Sequence, residues 1–193
     1  MKSVNSDIKP RPSETQNVDL IIQGGTAVTM VPGQPPVLNA RILIDKDRIT
    51  EIGPSTEIPL PHGSSLDIID AHNGIIMPGL VNAHAHTAMT LFRGFADDLP
   101  LKTWLFEKIF PAEAHFLSPE TVYWGALLGC VEMIISGTTC VADGYFFQNA
   151  TIRAVHKSGL RAVVAQGIID FPAPGVPDPK ENIRTGKEFL EKW

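Results

Sequence analysis

Two histidines stand one residue apart in Asn82-Ala83-His84-Ala85-His86-Thr87. In an extended segment residues i and i+2 lie on one face, so a strand here turns both imidazoles toward a common point. Neutral imidazole is the commonest metal ligand. A catalytic zinc site takes about three protein ligands and leaves a position for water. On spacing alone, the pair is either two metal ligands or two histidines alternating on a half-buried strand. Pro78-Gly79 just upstream and helical sequence downstream put it at a strand-to-helix junction. Strand ends are where parallel α/β folds gather their chemistry, which favours the metal.

The elements that position this pair come in two rhythms. Residues 18–22 open a strand that is expected to stop at Gly24-Gly25, with a second strand over 26–31 ending in Pro32-Gly33-Gln34-Pro35-Pro36. Residues 41–44 and 48–52 flank the charged turn Asp45-Lys46-Asp47, a hairpin pattern. Residues 65–70 alternate with period two and meet Asn73-Gly74, a second hairpin signal. A small antiparallel β unit is expected over 18–77, after a loosely attached polar tail over 1–17.

From Pro78 the pattern becomes strand–helix–strand. Residues 80–84 read as a buried strand, followed by a helical stretch broken at Pro100 and Pro111. Ser118-Pro119-Glu120 supplies a cap, a first-turn proline and a dipole-complementing acid, and Gly137 closes that helix. Residues 138–142 and 161–165 are strands; Asn149 is expected to cap the helix between them, and Asp178-Pro179 opens a last helix. Apolar strands alternating with helices predict a parallel sheet covered on both faces.

Composition narrows the function classes. The chain has 193 residues, 16 Lys plus Arg against 21 Asp plus Glu, and no basic cluster, which disfavours nucleic acid as a partner. A hydrophobic fraction of 44% with 19% charged residues fits a packed core. No apolar run approaches the ~18 residues of a membrane span, and residues 1–17 lack the apolar segment of a signal peptide. Cys130 and Cys140 sit in apolar surroundings and are expected to be reduced, buried thiols of a cytoplasmic protein.

The segment Met77-Pro78-Gly79-Leu80-Val81-Asn82-Ala83-His84-Ala85-His86 resembles the first-strand signature of the amidohydrolase superfamily. Within it, three stretches are similar to the 5-methylthioadenosine/S-adenosylhomocysteine deaminases: residues 90–100, Trp104-Leu105 and Pro111-Ala112-Glu113. Asp143-Gly144-Tyr145-Phe146 and residues 170–175 extend the similarity. The resemblance implies a (β/α)8 TIM barrel joined to a small N-terminal antiparallel β-sandwich. It also implies hydrolytic deamination of an adenine nucleoside and a homo-oligomeric full-length enzyme. His84 and His86 would be the first two ligands of one metal, zinc (Zn2+) or another divalent ion such as Fe2+. Glu113 would accept from the ribose hydroxyls of a small-molecule nucleoside, and Trp104 and Gln166 would line the substrate pocket. Gln166 stands where some relatives carry an arginine, which leaves the 5′ substituent open.

Other residues carry bland alternatives. Glu113 also fits a solvated helix end, and Trp104 a plain core position. His115 and His156 read as structural, His62 and His72 as turn residues. Asp143 suits either loop capping or support of the metal pair. Arg93, Asp97 and Asp98 are expected to order the loop over the site.

The resemblance places the general acid and the remaining ligands later in the family's barrel. A barrel takes about 250 residues, whereas positions 78–193 supply 116, about three strand–helix units. The 193 residues are accordingly expected to be an N-terminal portion or a truncated product that is inactive alone. Alternatives are a triazine chlorohydrolase or guanine deaminase, and a catalytically silent fragment or metal-free scaffold.

Overall fold

The computed structural model describes residues 18–61 and 67–193. The expected tail over 1–17, His62, and the first two residues of the alternating 65–70 segment lie outside the described residues. The chain divides into two compact units between Pro78 and Gly79.

The first unit is one five-stranded sheet. Strands β1 (Leu20–Ala27), β2 (Val37–Asp45), β3 (Arg48–Pro54) and β4 (Asp67–Asp70) lie in the order β3-β2-β1-β4, and β5 (Ile75–Ile76) also pairs with β1. The β2–β3 hairpin forms where expected, with Lys46 in the left-handed region at its turn. Two expectations are corrected. Gly24-Gly25 does not end the first strand: β1 runs on to Ala27 through two register irregularities. Gly24 takes a φ of +79°, and a Cβ on Gly25 would stand 2.7 Å from the Gly74 carbonyl. Glycine here bends a strand instead of stopping it. Nor is Asn73-Gly74 a hairpin turn, because β4 and β5 both pair parallel with β1. His72 and Asn73, both at positive φ, carry the chain from one stretch of β1 to the next, so the sheet is mixed and not antiparallel. Ile21, Leu43 and Ile58 form one buried cluster of this unit, and Ala27, Ala40 and Ile42 another.

The second unit is built on a parallel sheet, β6 (Leu80–Ala85), β7 (Thr138–Tyr145) and β8 (Arg161–Gln166), with β7 central. A 3-10 helix, Thr87–Phe92, leaves β6 directly. The helical stretch beyond Pro100 is not broken at Pro111: a π-helix, Thr103–Ile109, runs straight into α1 (Phe110–Phe116). Proline lacks a donor and its ring opposes the carbonyl four residues back. The wider π turn precedes Pro111, which falls in the first turn of α1.

Helix α2 (Pro119–Ile135) starts as predicted. The Ser118 side chain accepts from the Thr121 N–H, and the Thr121 hydroxyl accepts from the Ser118 N–H. Gly125 and Gly129, one turn apart on α2, let the 3-10 helix approach closely. A Cβ on Gly125 would lie 2.6 Å from the Ala88 carbonyl, and one on Gly129 would lie 2.6 Å from Thr87 Cγ2. Helix α3 (Gln148–Ser158) is capped by Phe147 in the left-handed region and not by Asn149, which lies inside the first turn and accepts from the Trp193 indole at 2.7 Å. Gly159, at φ +80°, ends it. Asp178 caps a short 3-10 turn that leads into α4 (Asn182–Lys192).

Val122, Ala126, Tyr145, Ala150 and Ala154 form the larger buried cluster, and Cys130, Met133, Val141 and Val155 a second. The sheet is covered on one face only among the described residues, because Val81 and Val163 stay 65% and 70% exposed. That corrects the expectation of two covered faces. Both cysteines are free thiols: Cys130 is buried, which pushes its thiol pKa up, and Cys140 half-buried. Among the described residues no helix is long and apolar enough to cross a membrane.

Candidate active site

The ends of β6 and β7 build the site together. His84 is in β6 and His86 directly follows that strand, and their ring centroids stand 5.1 Å apart at an interplanar angle of 78°. The His86 Nδ1 bonds the Gly144 carbonyl near the end of β7. A carbonyl only accepts, so this bond requires the Nδ1–H tautomer and leaves the Nε2 lone pair free. Metal-binding histidines are held in this way, the second ring nitrogen donating to a carbonyl or carboxylate. The pair therefore has the donor chemistry of two metal ligands. Among the described residues no cluster of three or more His, Cys, Asp or Glu could enclose an ion.

Asp143, one residue before Gly144, is 3% exposed and fully engaged. One of its carboxylate oxygens accepts from both the backbone N–H and the hydroxyl of Thr87, each at 2.6 Å. The other accepts from the Gln148 side-chain amide at 2.9 Å.

Glu113 is not a solvated helix end. It is 3% exposed, and the buried Tyr145 hydroxyl donates to its Oε1 at 2.7 Å. Burial pushes its carboxyl above the ordinary range, while the Tyr145 bond and the charge of His86 pull it back. The Tyr145 phenol is itself raised, first by burial and then by its bond to Glu113. Tyr145 joins two parts of the site, since its ring centroid lies 5.8 Å from that of His86.

Two hollows flank this group. One, of about 250 Å³, is walled by Phe110, Phe146, Phe171, Pro172 and Pro177, with Glu113 its one charged lining residue. A more open one, of about 430 Å³, lies beside His86, Thr87, Gly129 and Glu132. The smaller suits an organic ligand better, because aromatic walls with a single polar group both bind and orient. Trp104 is half-buried on the π-helix and does not line either hollow. Gln166 ends β8 opposite Tyr145 in the ladder, and its amide makes one long bond, 3.5 Å, to the Gly167 carbonyl.

The remaining candidates take ordinary roles. Arg93 pairs with Glu132 at 2.5 Å and ties the loop after the 3-10 helix to α2. His115 packs edge-on against Phe116; His156 is exposed in the last turn of α3. Sequence reasoning did not single out Tyr145, Thr87 or Gln148 as parts of a site. Period two along β7 groups Val141, Asp143 and Tyr145 on one face, a signal that reaches Tyr145 from Asp143.

The chain is 42% identical over 178 residues to 5-methylthioadenosine/S-adenosylhomocysteine deaminase 1 of Syntrophus aciditrophicus, covering 92% of this chain and 40% of that protein. It is 46% identical over 177 residues to a 5′-deoxyadenosine deaminase of Methanosarcina barkeri, covering 91% of this chain and 39% of the relative. A crystal structure of a zinc-bound adenosine deaminase from Xanthomonas campestris superposes with a TM-score of 0.85 at 35% identity, over 91% of this chain and 40% of that one. The chain thus spans about 40% of the length of these relatives. Residues 75–193, which contain the histidine pair, Glu113 and the whole parallel sheet, match the model of the amidohydrolase family, and the chain belongs to that family.

Proposed function

We propose that the whole protein is a metal-dependent hydrolase that deaminates adenine nucleosides to inosine analogues with release of ammonia. Its substrates are 5-methylthioadenosine, S-adenosylhomocysteine or adenosine. The observation that carries this is the buried Glu113 carboxylate, alone among aromatic and proline side chains in a cavity of about 250 Å³. A carboxylate offers about four acceptor positions. Tyr145 takes one, which leaves capacity for two adjacent hydroxyls such as those of a ribose. A sugar-free ring, as in a triazine or guanine, presents no such diol. The names of the relatives support the same substrate class.

In this reading His84 and His86 hold one divalent metal, zinc by the donor set and by the neighbour that contains it. When bound, the metal supplies the acidity that ionises water near neutral pH. His86 presents Nε2 because Gly144 holds its other nitrogen. Glu113 orients the sugar, the aromatic walls around it exclude water, and Trp104 and Gln166 complete the pocket in the whole protein. Residues 78–193 contribute the first strand–helix units of a (β/α)8 barrel, and 18–77 part of a β-sandwich domain. The enzyme is a homo-oligomer acting in the cytoplasm.

The test compares wild type with Glu113→Gln in the full-length protein, on 5-methylthioadenosine and on a sugar-free aminotriazine or guanine. Loss of a charge-assisted hydrogen bond, about 1.5–3 kcal/mol, predicts a fall of about 10- to 100-fold in kcat/KM on the nucleoside. Activity confined to the sugar-free substrate, or an equal nucleoside rate in both proteins, contradicts the assignment.

A further inference from the structure

We propose that Asp143 is a positioning residue for the metal-binding pair, acting through Thr87 to fix the ring of His86. The inference rests on the metal assignment above and concerns residues that touch neither metal nor substrate. His86 is followed at once by Thr87, and Asp143 holds Thr87 at both its backbone N–H and its hydroxyl. The residue after Asp143 supplies the carbonyl that bonds His86 Nδ1. Two consecutive residues of β7 therefore grip the two consecutive residues that link β6 to the 3-10 helix. The first fixes the backbone and the second fixes the tautomer.

The grip is built for this place. Asp143 is nine-tenths and more buried, and its second oxygen is held by Gln148, which is itself fully buried on α3. A loop that needed only a cap would be served by an exposed Asx turn, as Asp70 serves the His72 N–H at 2.7 Å in the other unit. Burying a carboxylate with three donors gains rigidity at the cost of desolvation, a cost suited to a position where ligand geometry must be held.

Gln148 also provides a way to separate geometry from charge. Its Oε1 is buried without a hydrogen-bond partner among the described residues. In Asp143→Asn the side-chain oxygen still accepts from Thr87, and Gln148 can turn its amide so that Oε1 accepts from the new NH2 group. The positioning bonds survive and the charge is gone. In Asp143→Ala both are lost.

The experiment uses the full-length protein with zinc as the probe. Zinc affinity is measured by competition with a chromophoric chelator. The His86 tautomer is read from imidazole nitrogen shifts, at a pH above the ordinary imidazole pKa of about 6.5. Supporting partners of metal ligands are worth about 10- to 100-fold in affinity. Asp143→Ala is expected to weaken zinc by at least about tenfold and to mix the His86 tautomers, while Asp143→Asn stays near wild type in both. Thr87→Val, which removes one of the two bonds to Asp143, weakens zinc by less than Asp143→Ala. It serves as the deciding variant should the alanine protein fail to fold.

Unchanged affinity and tautomer in Asp143→Ala, or in Thr87→Val when it decides, overturns the proposal. So does an asparagine variant as impaired as the alanine one, since the charge would then be what matters. Zinc binding indifferent to His86→Ala overturns the metal assignment instead, and the tautomer then decides the role of Asp143 by itself.

Discussion

The Tyr145 hydroxyl donates a 2.7 Å hydrogen bond to Glu113 across 32 positions of sequence, with both side chains buried. It joins the end of a central strand to a helix that enters the site from a π turn, and so fixes the one charged group in the aromatic cavity.

Tyr145→Phe keeps the ring and removes the donor. A buried carboxylate that loses its partner costs about 1–3 kcal/mol. Chemical denaturation is expected to show a loss of that size. The control is Tyr123→Phe, at a half-buried ring with no such bond to Glu113, and it changes little.

Acidity gives an independent handle on Glu113. Its folded pKa is raised by burial above the unfolded value of about 4.3. A raised carboxyl pKa means that the folded state holds its proton more tightly, so this contribution is complete below the unfolded pKa. It is lost as pH rises through the folded one. Glu113→Gln, which cannot ionise, should gain stability relative to wild type across that window. A difference in melting temperature between the two proteins that stays constant from acid to neutral pH contradicts the shift.

Gly129→Ala probes how α2 supports the site. The new methyl group would lie 2.6 Å from Thr87 Cγ2 and 2.9 Å from the Thr87 carbonyl. Overpacking of this kind costs about 1–3 kcal/mol, and here the strain falls on the residue next to His86. Thermal unfolding and zinc competition are both expected to weaken. A Gly137→Asn change, at a left-handed helix end with open space, should leave zinc binding alone.

Ser118→Ala removes a cap whose partner is present and well formed. The expected loss is about 1 kcal/mol, read by denaturation. Zinc affinity stays unchanged, because Ser118 stands about three helical turns from Gly129.

What the residue order conveyed was mostly local. The cap at Ser118 and the helix opening at Asp178 depend on a few neighbouring positions, and each forms as written. The histidine pair was visible because period two is a property of one strand. Pairings between distant segments were not visible. β4 and β5 add to β1 in parallel across a bulge, which no turn dipeptide announces. Asn149 looked like a cap, yet Phe147 takes that place, because the chain leaving β7 turns into the helix two residues earlier. Glu113 was reached through family resemblance, and its burial against Tyr145 could be known only once α1 and β7 were side by side. The same holds for Asp143 and Thr87, whose bonds span 56 positions.

Whether His84 and His86 are ligands of one metal is read from zinc content. The full-length protein is equilibrated with zinc, freed of excess, and analysed by elemental mass spectrometry beside His84→Ala and His86→Ala, with X-ray absorption reporting the donor atoms. Zinc with imidazole scattering is expected in wild type, with a marked loss in each variant. Zinc retained equally by all three proteins, or a wild-type protein that takes up none, contradicts it.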